Sequence, residues 1–134
     1  MSDSVTDTHS LIWYLEDSPS LSSSANDVFD ACDRGEIVIY IPTICLVEIL
    51  YLQEKWRISP DLKLLLDEEL RSGDSRFLLA DLDENVVDAI AQIPRNVVPD
   101  MPDRIIAATA LSLGLPLISK DAKIRACKVV ETIW

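Results

Sequence analysis

Histidine is nearly missing from this chain. His9 is the only one in 134 residues, so a histidine-rich metal centre is excluded. A serine or cysteine triad would need that one imidazole as its base, and no GxSxG or similar nucleophile signature accompanies it. Cysteine is sparse as well: Cys32, Cys45 and Cys127 are odd in number, far apart and in no CxxC pair. They suggest neither a zinc site nor a disulfide framework, and read as small core residues in a reducing compartment. Three glycines and seven prolines leave little room for long linkers. No apolar run approaches the ~20 residues that span a bilayer. The acidic start MSDSVTD lacks a signal-peptide pattern. A cytoplasmic location without a membrane partner is expected.

Positive charge is also scarce. Twelve Lys and Arg against 23 Asp and Glu give a net charge of −11. A surface of that sign does not coat nucleic acid, although an enzyme can still engage one strand locally. Five of the twelve basic residues (Arg104, Lys120, Lys123, Arg125 and Lys128) gather in or just beyond the stretch from Pro99 to Lys123. Hydrophobic residues make up 49%, enough for one core in a single domain over residues 1–134.

What is present is an alternation of short apolar runs with helical periodicity. Ser4 to Asp7 forms a weakly signalled strand, and Thr8 to Leu15 a helix with Leu11, Ile12 and Leu15 on one face. A serine-capped helix carries Ala25, Val28, Phe29 and Cys32 and ends at Gly35, and Ile37 to Ile41 reads as a buried parallel strand. Thr43 is expected to cap the next helix, which runs to Trp56. Further helices are expected over Pro60 to Arg71 and after Asp83, with strands at Phe77 to Ala80 and Val129 to Ile133. The stretch PDMPDRIIAATALSLGLPLISKDAK supplies an acidic helix start, an amphipathic helix closed by Gly114 and Pro116, and the strand Leu117-Ile118. This is the pattern of an α/β domain with a mainly parallel sheet and helices on both faces.

In such a sheet all strand carboxyl ends face one edge, where ligands bind near the switch in strand order. Asp7 and Asp121 each follow a strand, Asp103 begins a helix, and Glu48 lies in the early turns of another. Glu48 sits among apolar neighbours, where a lone carboxylate is costly to desolvate and asks for a salt-bridge partner, a proton or a cation. Four converging acids cannot all stay ionised without a counter-charge. An all-oxygen set suits Mg²⁺ or Mn²⁺ rather than zinc. Phosphoryl hydrolysis is the natural reaction class, because it needs no side-chain nucleophile.

The segments TDTHSLIWYL, PTICLVEI and MPDRIIAATALSLGLPLISKDAKI resemble the PIN-domain nucleases, and among them the VapC-type ribonuclease toxins of bacterial toxin–antitoxin pairs. The family's D-P-F-D-R form appears as Asp100-Met101-Pro102-Asp103-Arg104, with the middle pair altered. Its small-residue-x-Asp appears as Ser119-Lys120-Asp121. The resemblance implies a three-layer PIN-like fold with a five-stranded parallel sheet. It further implies Mg²⁺- or Mn²⁺-dependent cleavage of RNA, a homodimer, and a cognate antitoxin as inhibitor. It assigns the metal-binding and catalytic acids to Asp7, Glu48, Asp103 and Asp121.

Several residues have secondary readings. Asp100 reads as a helix cap or an outer member of the cluster, and Ser119 as a hydrogen-bond support for Asp121 or as turn chemistry. Thr8 and His9 flank Asp7, and His9 reads as a half-buried structural residue. Arg104 and Lys120 are candidates for RNA phosphates or for solvated charge. Trp13, Trp56 and Trp134 read as core or interface anchors. Two other functions compete: a PIN-like binding module that no longer cuts, and an aspartate-based phosphatase or phospho-acceptor domain with Asp7 as nucleophile.

Overall fold

The computed structural model describes residues Met1–Trp134 and is built around a very short central strand. β1 (Ser4–Thr6) lies between β2 (Ile39–Pro42) and β4 (Leu117–Ile118), with β3 (Phe77–Ala80) and β5 (Thr132–Ile133) at the edges, in the order β3-β2-β1-β4-β5. All four pairings are parallel, and Val5 sits in register with both Tyr40 and Leu117. Successive strand residues point to opposite faces, and Ser4, Val5 and Thr6 are all fully buried. Both faces of the sheet centre are therefore covered by helices, as a parallel sheet requires. The polar makeup of β1 is tolerated because its backbone is paired on both sides and the Thr6 hydroxyl donates to the Asp7 carbonyl at 3.0 Å.

Seven helices connect and cover the strands: α1 (Thr8–Leu15), α2 (Ser23–Asp33), α3 (Thr43–Glu54), α4 (Leu62–Arg71), α5 (Glu84–Ile90), α6 (Met101–Leu113) and α7 (Ala122–Arg125). Caps are where the periodicity places them: Asp7, Ser22 and Asp83 each accept a bond from a backbone N–H three residues on. Gly114 adopts φ 67°, the left-handed close that its position after the last apolar residue demands. The core unites Leu11, Phe29, Ile39, Ile49, Ile106 and Leu117, with Tyr14 stacked on Phe29 at 4.5 Å.

Some boundaries differ from expectation. The last strand is only Thr132–Ile133, and β2 begins at Ile39 rather than Ile37. Thr43 does not cap α3. Pro42 takes the cap position directly from β2, and the Thr43 hydroxyl accepts from the Leu82 N–H at 3.4 Å. The helix after Pro60 starts two residues later, at Leu62.

Arg104 has a structural partner set. Its Nη2 donates to the carbonyl oxygens of Ile90 at 3.0 Å and Ile93 at 2.8 Å, tying α6 to the open C-terminal end of α5. Replacing Arg104 with Ala is expected to lower stability by about 2 kcal/mol, the size of a charge-assisted bond lost over buried carbonyls. Urea unfolding measures it, and an unchanged midpoint would show that the clamp is idle.

Candidate carboxylate site

Asp7 follows β1 directly, and its N–H is held by the Ile118 carbonyl at the end of β4, 3.1 Å away. Strand order reverses between these two strands, so Asp7 and the loop after β4 emerge side by side at the switch point. The result is a cleft of about 480 Å³ lined by Asp7, Glu48, Asp100, Asp103 and Asp121, with Thr8, His9, Trp13, Ile106 and Lys120 completing its wall. The four acids expected to converge do share this cleft, and Asp100 joins them.

Each carboxylate has a different mooring. Asp7 Oδ1 accepts the Ser10 N–H at 2.9 Å. Burial still pushes its pKa up, against the opposing pull of the Ser10 and Ser119 hydroxyls. Asp121 Oδ1 accepts the N–H groups of Lys123 at 2.9 Å and Ile124 at 3.0 Å, at the start of α7. Ser119 is fully buried, and its Oγ accepts the Asp121 N–H at 3.1 Å. Glu48 accepts the Thr8 hydroxyl at 2.6 Å, which gives this half-buried acid its partner. Thr8 thus acts through Glu48.

Asp103 stands in the first turn of α6, where the helix dipole favours a negative charge. The opposing effects are larger. Burial, then the charges of Asp100, Asp121, Glu48 and Asp7, push its pKa up to about 7. One acid thus feels the other four, a repulsion that a bound cation would relieve. The donors are all oxygen, as a hard divalent ion prefers. The acids are ranged around the cleft rather than closed on a point: no three His, Cys, Asp or Glu side chains stand close enough to clasp one ion. The fit to Mg²⁺ or Mn²⁺ rests on donor chemistry and on this shared field.

Other expectations need correction. Of the two readings of Asp100, only the cap needs correcting: it occupies the N-cap position of α6, but its side chain makes no capping bond and lines the cleft. Arg104 points away from the cleft into its clamp on α5 and is not available to a phosphate there. His9 is exposed rather than half-buried. Trp13 lies on the cleft wall with Lys120, where a core reading did not place it. Its signal was present: His9 and Trp13 are four apart on the helix that Asp7 caps, and so share one face. Cys45 is fully buried near the site, and burial pushes its thiol up, so it supplies no thiolate nucleophile.

A parallel α/β domain with an acid-lined cleft at its switch point is the class that fold and site define. The chain belongs to the PIN domain family, whose pattern it matches over residues 4–129; PIN domains are generally nucleases. Among solved structures it is similar to VapBC2 from Rickettsia felis, bound to a DNA fragment from its promoter. The TM-score is 0.72 at 17% identity, covering 98% of this chain and 97% of that one. DNA-bound VapBC from Salmonella typhimurium gives 0.69 at 21% identity, over 98% and 97% of the two chains. FitAcB from Neisseria gonorrhoeae gives 0.62 at 23%, over 98% and 96%. The comparison with curated proteins yields no match. No helix is long and apolar enough to cross a membrane.

The raised Asp103 pKa makes stability depend on pH. At low pH both folded and unfolded states carry this proton, and repulsion contributes nothing. Between about 4 and about 7 the unfolded chain ionises first, so stability falls as pH rises. Above 7 the full penalty is present. Asp103→Asn is expected to stabilise the protein at pH 8 by on the order of 1 kcal/mol after solvent screening, and much less at pH 4. Thermal unfolding of both proteins at the two pH values is the check, and a gain that is the same at both would refute the coupling.

Proposed function

We propose that this PIN domain is a Mg²⁺- or Mn²⁺-dependent endoribonuclease of the VapC type, the toxin of a toxin–antitoxin pair. The observation that carries the reading is the sharing of one cleft by Asp7, Glu48, Asp100, Asp103 and Asp121 in a PIN-family chain. Asp7, Glu48, Asp103 and Asp121 would hold the cation, with Asp100 at the rim. When bound, such an ion supplies the charge that offsets a phosphodiester and acidifies water. The chain's part is preorganisation. The Ser10 N–H fixes Asp7, the Thr8 hydroxyl fixes Glu48, and the amides opening α7 fix Asp121.

The toxin assignment draws on fold neighbours that are toxin–antitoxin complexes. Exposed apolar side chains add to it: Val47, Leu50 and Tyr51 on α3, and Leu64 and Leu65 on α4, offer surface to an antitoxin and to a second copy in a homodimer. A cytoplasmic site of action goes with this reading. The non-cutting binding module draws on a different observation, the lack of a ready-made chelate. The phosphatase reading loses its ground to the family match.

Cleavage decides between the two. Wild type is expected to cut single-stranded RNA with Mg²⁺ or Mn²⁺ and to stop in EDTA. Asp103→Asn or Asp121→Asn should slow the reaction by roughly 100-fold or more, as loss of a charge-stabilising group does. Cleavage at equal rates by wild type and Asp103→Asn would sink the assignment. Growth arrest on expression, relieved by the product of the adjoining reading frame, would establish the toxin role.

A further inference from the structure

The cleft has a wall that the carboxylates do not occupy. There the half-buried Trp13 ring stands 5.8 Å from His9 and 5.8 Å from Trp134, tilted 51° and 57° against them. Lys120 Nζ lies 5.7 Å from the centre of the Trp13 ring, and Lys120 is the one Lys or Arg on the cleft lining. The aromatic core is complete without Trp13, since Tyr14, Phe29 and Phe77 pack among themselves. An ammonium beside five acids is placed to form an ion pair, yet the chain's salt bridges are Arg34–Glu36 and Lys63–Asp67 only. No carboxylate therefore holds the Lys120 charge, whose nearest partner is the Trp13 ring.

We propose that Trp13 and Lys120 form the substrate-positioning wall of the cleft. The Lys120 ammonium takes a backbone phosphate of single-stranded RNA, and the Trp13 indole stacks the adjacent base. This inference rests on the ribonuclease reading of the carboxylates. A cation over an indole at an exposed position is weakly held, so Lys120 can leave the ring for a phosphate and uncover it. Stacking tolerates any base because every base has a π-face, and a basic contact beside it tracks the backbone. His9 and Trp134 hold the ring in place and are positioning residues. On a surface of net charge −11, a single cation facing the acids fixes which way a strand lies across them.

The test is anisotropy of a labelled single-stranded oligoribonucleotide on Asp103→Asn protein, alone or combined with Trp13→Ala, Trp13→Phe or Lys120→Gln. Trp13→Ala is expected to weaken binding about tenfold, the size of one stacking contact, and Trp13→Phe to recover most of it. Lys120→Gln should reduce the slope of log affinity against log salt by about 0.7, one phosphate contact on a single strand. Lys120 is exposed, so this variant stays decisive if Trp13→Ala fails to fold. Unchanged affinity in Trp13→Ala, or an unchanged salt slope in Lys120→Gln, overturns the wall while wild-type cleavage leaves the nuclease reading standing. RNA that wild type neither binds nor cuts removes the nuclease reading and the wall with it.

Discussion

Carboxylates held together and partly out of water set the terms for the rest of this molecule. Burial and four neighbouring acids hold Asp103 at a pKa of about 7, and burial alone drives Asp7 upward. Such a cluster works against folding. The sheet has to force it, and does so by setting the short strand β1 between two parallel neighbours that deliver Asp7 and the Asp121 loop to one edge. The scaffold affords this strain through a continuous core that runs from Leu11 through Ile106 to Ile118.

Helix beginnings do much of the local work. Asp7 precedes α1, Asp121 precedes α7, and Asp103 lies in the first turn of α6. In the first two, backbone N–H groups satisfy one carboxylate oxygen of a residue that also lines the cleft. A cap and a ligand are thus compatible roles for one side chain, because a carboxylate has more acceptor sites than a cap uses. Glu48 lies further along its helix and takes the Thr8 hydroxyl instead. Beside these acids, Trp13 and Lys120 give the cleft an aromatic face and a single cation.

Much of this was legible before the fold was known. Apolar periodicity gave the alternation of elements, β3 to the residue, and the closing role of Gly114. The acids were readable because strand ends and helix starts of a parallel sheet meet at one edge. Less legible was anything that depends on where a side chain turns. Arg104 follows Asp103 in sequence yet swings to the end of α5, where its Nη2 donates to the carbonyls of Ile90 and Ile93. Asp100 reads as a cap or as an outer member of the cluster, and only the fold shows that its side chain leaves the cap unused and lines the cleft. Trp13 reads as a core or interface anchor because Leu11 and Ile12 just before it are core.

The central claim is that these acids form one divalent-cation site. Electron paramagnetic resonance during titration of Mn²⁺ into the protein tests it most directly, because free and bound ion give distinct signals. The account predicts saturable uptake by wild type, sharply weakened in Asp7→Asn and Asp121→Asn and unchanged when the distant Asp61 is made Asn. Mn²⁺ that stays free at every concentration, or uptake indifferent to Asp7 and Asp121, would contradict it.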